Sequence, residues 1–409
     1  MFIESLLFDA TVEITKSLNQ LAVNINKKYK VAITKQGIEQ RFTGGAVKFI
    51  QSLIGSQLSN QFNHSIDTGW FKLFKRVLIK DSTKFDVSEN LAEKLPGSGG
   101  NASKAAVSIQ YEFDIKAGEV GDLTINPSNR TDTKDTSETI GKVREGDLII
   151  RDLGYSIISC FKTINTAKAY FISRLNTSTK VYEMKENNLV EIDFKKLHET
   201  MKEGKIKRLE KQVVIGQKEK FPVRMIIELM PEEVVNKRLK KTNALNKKKG
   251  QKTSDNYKTK ACFNLYITNI AETVLEADAI VKIYKIRWQV ELIFKAWKSI
   301  FGIDNNNPMK YERLICLLNI RLLLILINWD MFMYKRLQLY KKTGKILSIN
   351  KCFKTLQESG KELKEILTNN CKKLMKWLEE MSRLFESHHW LEKRKNKIGL
   401  AELMLLNNL

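Results

Sequence analysis

Cysteine and histidine are scarce in this chain. Five cysteines among 409 residues (Cys160, Cys262, Cys316, Cys352 and Cys371) make an odd number, and no CxxC pair occurs. That argues against a disulfide framework or a zinc knuckle and fits a reducing compartment. The four histidines show no metal-ligand spacing, and the adjacent pair His388-His389 reads as surface. Long apolar runs are missing too. The most apolar segment, Leu322 to Trp329 between Arg321 and Asp330, is far too short to span a bilayer and reads as a core helix. Glu4 and Asp9 interrupt the N-terminal turns, which argues against a signal peptide, so a cytoplasmic protein with no membrane partner is expected. There is no internal repeat and no long low-complexity tract.

Negative charge is in deficit. Lys and Arg number 70 against 46 Asp and Glu, a formal net charge of +24. Such an excess points to a polyanion, with nucleic acid as the default partner and a lysine-rich solvated surface as the plain alternative. Hydrophobic residues make up 43%, enough for real cores, and the length allows two or three domains.

The texture changes along the chain. Residues 1–74 read as a helical N-terminal DNA-binding region. Within it, Thr34–Phe42 and Thr43–Ile54 form two short helices around a tight turn, with Val47, Ile50 and Ile54, joined by Ala46, Phe49 and Leu53, at helical spacing and Thr43 as a cap. That pattern suits a helix-turn-helix. Residues 75–175 carry strands at Arg76–Asp81, Ala105–Phe113, Glu119–Ile125, Asp147–Asp152 and Ala169–Ser173, with a helix over Thr136–Val143. Three meandering strands, a helix and further strands predict an α/β sheet of the ribonuclease H type. Residues 176–268 read as a β-rich insertion, with runs at Val181–Met184, Val190–Phe194, Val223–Met230 and Phe263–Ile270. Asn236–Lys260 in this insertion is a basic loop holding ten Lys/Arg against one Asp. Residues 269–305 return to the core and carry the buried helix Tyr284–Lys298, and 306–409 form a helical C-terminal region.

Residues Tyr284–Lys298 carry four polar groups in an otherwise apolar helix. Taking Glu291 as zero and about 100° per residue, Tyr284, Arg287 and Lys298 fall with it inside an arc of roughly 60°. Ile283, Ile286, Val290, Leu292, Ile293, Phe294, Trp297 and Ile300 cover most of the rest. A helix apolar nearly all round is buried, and buried charge is costly without a partner. Glu291 could serve only to pair with Arg287 or Lys295, one turn away.

Two further acids end apolar strands: Asp81 after Val-Leu-Ile-Lys, and Asp152 after Leu-Ile-Ile-Arg. An aspartate at a strand end is most often a turn or cap residue, and Asp86, Asp114 and Asp147 read as turn or surface residues. Asp81, Asp152 and Glu291 together suggest more. Three carboxylates that converge need a counter-ion, and two Mg²⁺ ions suit oxygen ligands and phosphate chemistry.

Tyr-x2-Arg-x3-Glu-x6-Lys, met by Tyr284, Arg287, Glu291 and Lys298, resembles the signature of the fourth insertion-sequence family of bacterial DDE transposases. Asp81-Ser-Thr83 resembles that family's first-acid motif, Asp152-Leu-Gly-Tyr155 its second, and Leu95-Pro-Gly-Ser-Gly-Gly100 its glycine loop. The similarity covers about residues 30–335. It implies a ribonuclease H-like core interrupted by a β-rich insertion and flanked by helical regions. It implies metal-dependent, nucleoid-associated cut-and-paste DNA transposition at terminal inverted repeats, commonly through a DNA hairpin. Asp81, Asp152 and Glu291 would bind two Mg²⁺ ions (Mn²⁺ substituting). Tyr284, Arg287 and Lys298 would hold phosphates of double-stranded DNA, at transposon ends and target, in a homodimeric synaptic complex. Trp288 and Trp297 lie near the place where a flipped base would stack, and both suit a core equally. A nuclease of the same fold without strand transfer, or a noncatalytic repressor derived from a transposase, are the alternatives.

Overall fold

The computed structural model describes residues 2–12, 17–61, 69–99, 102–248, 250–369 and 371–392. Residues 62–68 of the N-terminal region, Gly100 of the glycine loop, Lys249 of the triple-lysine run and residues 393–409 lie outside the described residues. The strands are β1 (Val77–Asp86), β2 (Ala106–Asp114), β3 (Glu119–Pro127), β4 (Leu148–Arg151), β5 (Tyr170–Arg174), β6 (Val181–Lys185), β7 (Asn188–Glu191), β8 (Arg208–Ile215), β9 (Phe221–Leu229) and β10 (Phe263–Thr268). The helices of the first half are α1 (Phe2–Val12), α2 (Leu18–Tyr29), α3 (Lys35–Glu39), α4 (Gly44–Ser59), α5 (Asp132–Thr139), α6 (Ile158–Thr166) and α7 (Phe194–Glu203). Those of the second half are α8 (Glu232–Lys248), α9 (Asp255–Lys260), α10 (Ala277–Lys285), α11 (Trp288–Ser299), α12 (Tyr311–Thr343), α13 (Ile349–Glu358), α14 (Gly360–Asn369) and α15 (Leu374–His388). The α/β class expected from the sequence is the class found.

The chain divides into two compact units. One holds residues 1–69, 81–130 and 288–409, the other 70–80 and 131–287, so the cut passes through β1 after Lys80. The first unit is mostly helical and centred on α12. Its apolar stretch is longer than expected: Tyr311–Thr343 is long and apolar enough to cross a membrane, yet 78% of its most apolar window is buried inside the protein. Asn319 and Asn328 sit in this helix without cost because their amides donate to the carbonyls of Ile315 and Leu324, one turn back. The N-terminal helices dock on it through Leu6, Leu21, Ile25, Ile38 and Ile50 against Cys316 and Ile320. Thr34 and Thr43 cap α3 and α4 through the amides of Gly37 and Ala46, both at 3.1 Å. Phe49 departs from the expected apolar face and is 53% exposed, because the arc of α4 that packs inward is centred on Ile50 and Ile54. Strands β3, β2 and the second half of β1 lie in that order. Tyr111 of β2 meets Trp297 edge-on at 5.0 Å, and Phe113 meets Trp329 likewise at 5.0 Å. Trp297 is therefore a core residue.

In the glycine loop, the Gly97 amide donates to the Lys104 carbonyl, and a Cβ at Gly97 would collide with the Ser103 carbonyl. Only glycine allows that approach.

The second unit is a sheet of order β1-β4-β5-β10-β9-β8-β6-β7, with β1, β4 and β5 parallel and the rest antiparallel. One face packs Leu78, Ile149, Phe171, Met225 and Ile267 against Phe161 and Ile164 of α6 and Phe194 and Met201 of α7. Alternation turns Tyr266 to the opposite face, where it meets Tyr284 of α10 at 5.4 Å. Two expectations are corrected here. The run Val190–Phe194 is not one strand: β7 ends at Glu191, Asp193 caps α7 through the Lys195 and Lys196 amides, and the helix begins at Phe194. The basic segment Asn236–Lys260 is not a loop but lies mostly in helices α8 and α9, with Ser254 capping the latter. Lysine is a good helix former, and Val234, Val235, Arg238, Leu239, Thr242 and Asn246 give the inward side its spacing.

Ion pairs bracket the β1–β4 pairing. At its start Arg76 grips Asp147 with two nitrogens, at 2.8 and 2.5 Å, and the Arg144 amide donates to the same carboxylate. Asp147 is thus a buried strut, not a surface residue. Asp114 is a turn residue as expected, accepting from the Lys116 amide. At the far end Lys80 meets Asp135 of α5 at 2.6 Å, both at most 1% exposed. Removing one partner of such a pair leaves a buried charge. Asp135→Ala is therefore expected to cost about 3–5 kcal/mol in urea or guanidinium unfolding, while Lys80→Met with Asp135→Leu recovers most of it. An unchanged midpoint for Asp135→Ala would show that α5 is held by something else.

Candidate active site

Asp152 is the best-defined member of the predicted set. Strand β4 ends at Arg151, and Leu153–Tyr155 make a single 3₁₀ turn with Asp152 at its head, its side chain making no cap bond to that turn. The Leu-Gly-Tyr sequence explains the turn. Tyr155 is 2% exposed and anchors it, while Gly154 leaves room for Asp132 of α5, whose Oδ2 would lie 2.9 Å from a Cβ there. The Asp152 carboxylate stays 44% exposed and so is open to a ligand.

Two groups from the end of α10 converge on that carboxylate. The Tyr284 hydroxyl donates to Oδ1 at 3.4 Å, and Arg287 Nε lies 3.6 Å from the same oxygen. Tyr284 is 7% exposed. Burial, and then the Asp152 charge, push its phenol well above the usual range, so it remains a neutral donor throughout physiological pH. The structure therefore brings together Asp152, Tyr284 and Arg287.

The other three predicted residues lie in the first unit. Asp81 is half-buried in β1, and its Oδ1 accepts from the Ser82 amide at 2.8 Å. Glu291 is half-buried in the first turn of α11, where the helix dipole favours a carboxylate. Lys298 is in the last turn of α11, and its ammonium donates to the Lys84 carbonyl of β1 at 3.2 Å. The single helix expected over Tyr284–Lys298 is corrected: α10 ends at Lys285, Ile286 and Arg287 form a turn, and α11 starts at Trp288. The shared stripe therefore survives only within each helix, as the Glu291–Lys298 pair two turns apart on α11. Trp288 is half-buried beside the break.

The oxygen donors of Asp81, Asp152 and Glu291 suit a hard divalent cation by type. Among the described residues, no three His, Cys, Asp or Glu side chains are gathered into a ready metal cage. The support from α5 escaped the sequence reading, because that helix was placed four residues late. Thr131, which accepts from the Lys134 amide at 3.2 Å, and the acids Asp132 and Asp135 in the first turn were the available signal.

Residues 72–327 match the transposase DDE domain family. The transposase for insertion sequence element IS231E of Bacillus thuringiensis subsp. finitimus is 30% identical over 397 residues, covering 93% of this chain and 81% of its own length. That for IS231B of B. thuringiensis subsp. berliner is 28% identical over 403 residues, covering 95% and 84%. That for IS1151 of Clostridium perfringens is 29% identical over 338 residues, covering 77% and 69%. Among solved structures, a piggyBac transposase synaptic complex with hairpin DNA aligns over 80% of this chain and 60% of that one, at 12% identity and a TM-score of 0.38, too distant to define the fold. The chain belongs to the DDE transposases. It is an enzyme of the insertion-sequence kind, a DNA transposase.

Tyr284 separates packing from hydrogen bonding. Tyr284→Phe keeps the ring against Tyr266 and is expected to change stability by no more than about 1.5 kcal/mol. Tyr284→Ala, which empties the site, is expected to cost about 3–5 kcal/mol. Thermal and urea unfolding of the two variants check the difference.

Proposed function

We propose that the enzyme moves its element by cut and paste: it nicks DNA at terminal inverted repeats, forms a hairpin at the element's end, reopens it, and joins the freed 3′ hydroxyl to target DNA. Asp81, Asp152 and Glu291 are the catalytic carboxylates, in a ribonuclease H-like core interrupted by the β-rich insertion. Tyr284, Arg287, Glu291 and Lys298 are the signature of the fourth insertion-sequence family. Asp81, Asp152 and Glu291 would hold two divalent ions, Mg²⁺ with Mn²⁺ able to substitute, which would supply activation of the attacking oxygen and stabilisation of the leaving one.

The observation that carries the reading is the environment of Asp152 in a chain of this family. Lys80 and Arg151 are partners in parallel register, and each is followed by one of the two aspartates. Tyr284 and Arg287, a neutral donor and a planar fork, stand on the second aspartate, and both are chemistries that hold a phosphate. In the first unit, the Lys298–Lys84 contact sets α11 against β1. Glu291 precedes Lys298 by about 10.5 Å of helix, and Asp81 precedes Lys84 by about 10 Å of strand, so the two acids are equally offset from that contact. When DNA arrives, Arg287 exchanges a carboxylate for a phosphate at the terminal nucleotides and Lys298 adds a point charge. Work at two ends requires a pair of protomers.

The test is cleavage of duplexes bearing the element's terminal repeats with added Mg²⁺. Asp81→Ala, Asp152→Ala and Glu291→Ala are each expected to abolish nicking and joining, and chelation of the metal to do the same, while DNA binding persists. Full end cleavage by Glu291→Ala would sink the assignment. Cleavage without strand transfer would favour a nuclease, and binding without either a repressor. Lys298→Ala is expected to lower the slope of log K against log salt by about 0.9 on end DNA, the value of one phosphate contact. An unchanged slope would reduce Lys298 to its bond with Lys84.

A further inference from the structure

Helix α8 presents two chemically distinct sides. Arg238 is turned inward: one terminal nitrogen donates to the carbonyls of Ala261 and Phe263, both at 3.0 Å, and the other to Asn264 Oδ1 at 2.7 Å. One turn on, the Thr242 hydroxyl bonds the Tyr257 hydroxyl at 2.8 Å, and a turn further Asn246 donates to Thr253 at 2.9 Å. These contacts clamp the helix along its length to β10 and to the segment around α9. Lys237, Lys240, Lys241, Lys247 and Lys248 are all exposed. At about 100° per residue they fall within an arc of roughly 120°, opposite the clamped side, along about 16 Å of axis.

Among the described residues none of these five lysines is paired with a carboxylate, whereas other exposed lysines such as Lys104, Lys180, Lys354 and Lys376 each face one. Like charges three and four residues apart weaken a helix unless something answers them. A solvated surface accident would scatter its cations; here the one arginine is spent on the clamp and the lysines share one side.

We propose that the lysine side of α8 is a docking surface for the phosphate backbone of double-stranded DNA, read without regard to sequence. Charge complementarity selects the occupant. Duplex DNA carries a phosphate about every 1.7 Å of axis, so the length of the stripe faces roughly ten of them. Lysines offer point charges that follow a backbone, and the one guanidinium of the helix is turned inward; the exposed amides Asn236 and Asn243 stand at the edge of the lysine arc rather than within it. The surface rests on the transposase reading above and extends it from the terminal nucleotides to the duplex beyond them.

The experiment uses the full chain. A variant with Lys237→Ala, Lys240→Ala, Lys241→Ala and Lys248→Ala keeps helix propensity, since alanine is the best helix former. A charge-matched control replaces Lys104, Lys180, Lys354 and Lys376 by alanine. Binding to a terminal-repeat duplex and to a random duplex is titrated over a range of salt. At about 0.9 per phosphate contact, the helix variant is expected to lose two to four units of slope on both duplexes, with the ratio of the two affinities kept, while the control loses less than one. Equal slopes for helix variant and control would overturn the proposal. So would a change confined to the repeat duplex, or a shift in oligomeric state without a change in slope, which would make the occupant a second copy. A melting curve matching the parent confirms that the variant is folded. Failure of the three acid variants to abolish cleavage would remove the catalytic assignment and leave these slopes as they are.

Discussion

Lys80 and Arg151 are neighbours in the parallel pairing of β1 with β4, and both are buried. Two cations side by side inside a sheet are tolerable only if a carboxylate is brought to them. Asp135 meets Lys80 at 2.6 Å from the first turn of α5. The same pairing is fixed at its other end by Arg76 and Asp147. These pairs contribute little net stability over an apolar substitute, since desolvation offsets much of their attraction, but they penalise every other arrangement. A shift of one residue would reverse which side chains face α5 and which face away. A slip of β1 would turn Asp81 toward the apolar layer and take Lys80 away from Asp135. The buried charges thus define a register whose visible product is an aspartate directly after each strand segment.

Much of this was legible from the sequence. Short apolar strands with an acid at the end are recognisable because a parallel strand is buried on both faces and so loses its alternation, as in Val77–Lys80 and Leu148–Arg151. The cap Thr43 was legible because its hydroxyl acts within three residues, whereas Thr34, read only as the start of its helix, proves to cap α3 in the same way. What escaped depends on distant partners. Strand β8 (Arg208–Ile215) has charged residues along one face, and these are answered across the strand by Arg224 and Glu228. Helix α8 has no buried residue at all, and only Val234, Val235 and Leu239 of its inward side are apolar, too few to announce it. It is held by hydrogen bonds to residues up to 26 positions away.

The break at Ile286–Arg287 shows the limit of reading periodicity through a polar stripe. Four residues spaced 3, 4 and 7 apart fit one helix by arithmetic, but two helices with a turn between them satisfy the same apolar pattern. In the turn, the Arg287 amide donates to the Tyr284 carbonyl at 3.1 Å, a tightened end of the kind helices use to close orphan carbonyls. The turn frees the Arg287 side chain from the axis of either helix and lets it lie on Asp152. A guanidinium at the C-terminal end of α10 is also favoured by the helix dipole. Tyr284 and Arg287 therefore serve one carboxylate in the second unit, while Glu291 and Lys298 stand two turns apart on a separate helix, beside β1.

The positive charge of the chain is divided between two chemistries. Around Asp152 it is one arginine with a fixed planar fork, set by a turn and flanked by a tyrosine whose proton burial secures. By chemistry such groups suit a phosphate held in one defined place, as proposed above. On α8 it is five lysines on flexible stems, with the only arginine of the helix turned inward. An ammonium accepts a phosphate from many directions, so a lysine face tolerates any register of the duplex laid along it. On the reading proposed above, the two kinds of contact do different work and sit on different elements. If the proposed roles hold, a fork on the exposed helix would impose a register on a duplex laid along it, and a lysine in place of Arg287 would lose the planar geometry that orients a phosphate.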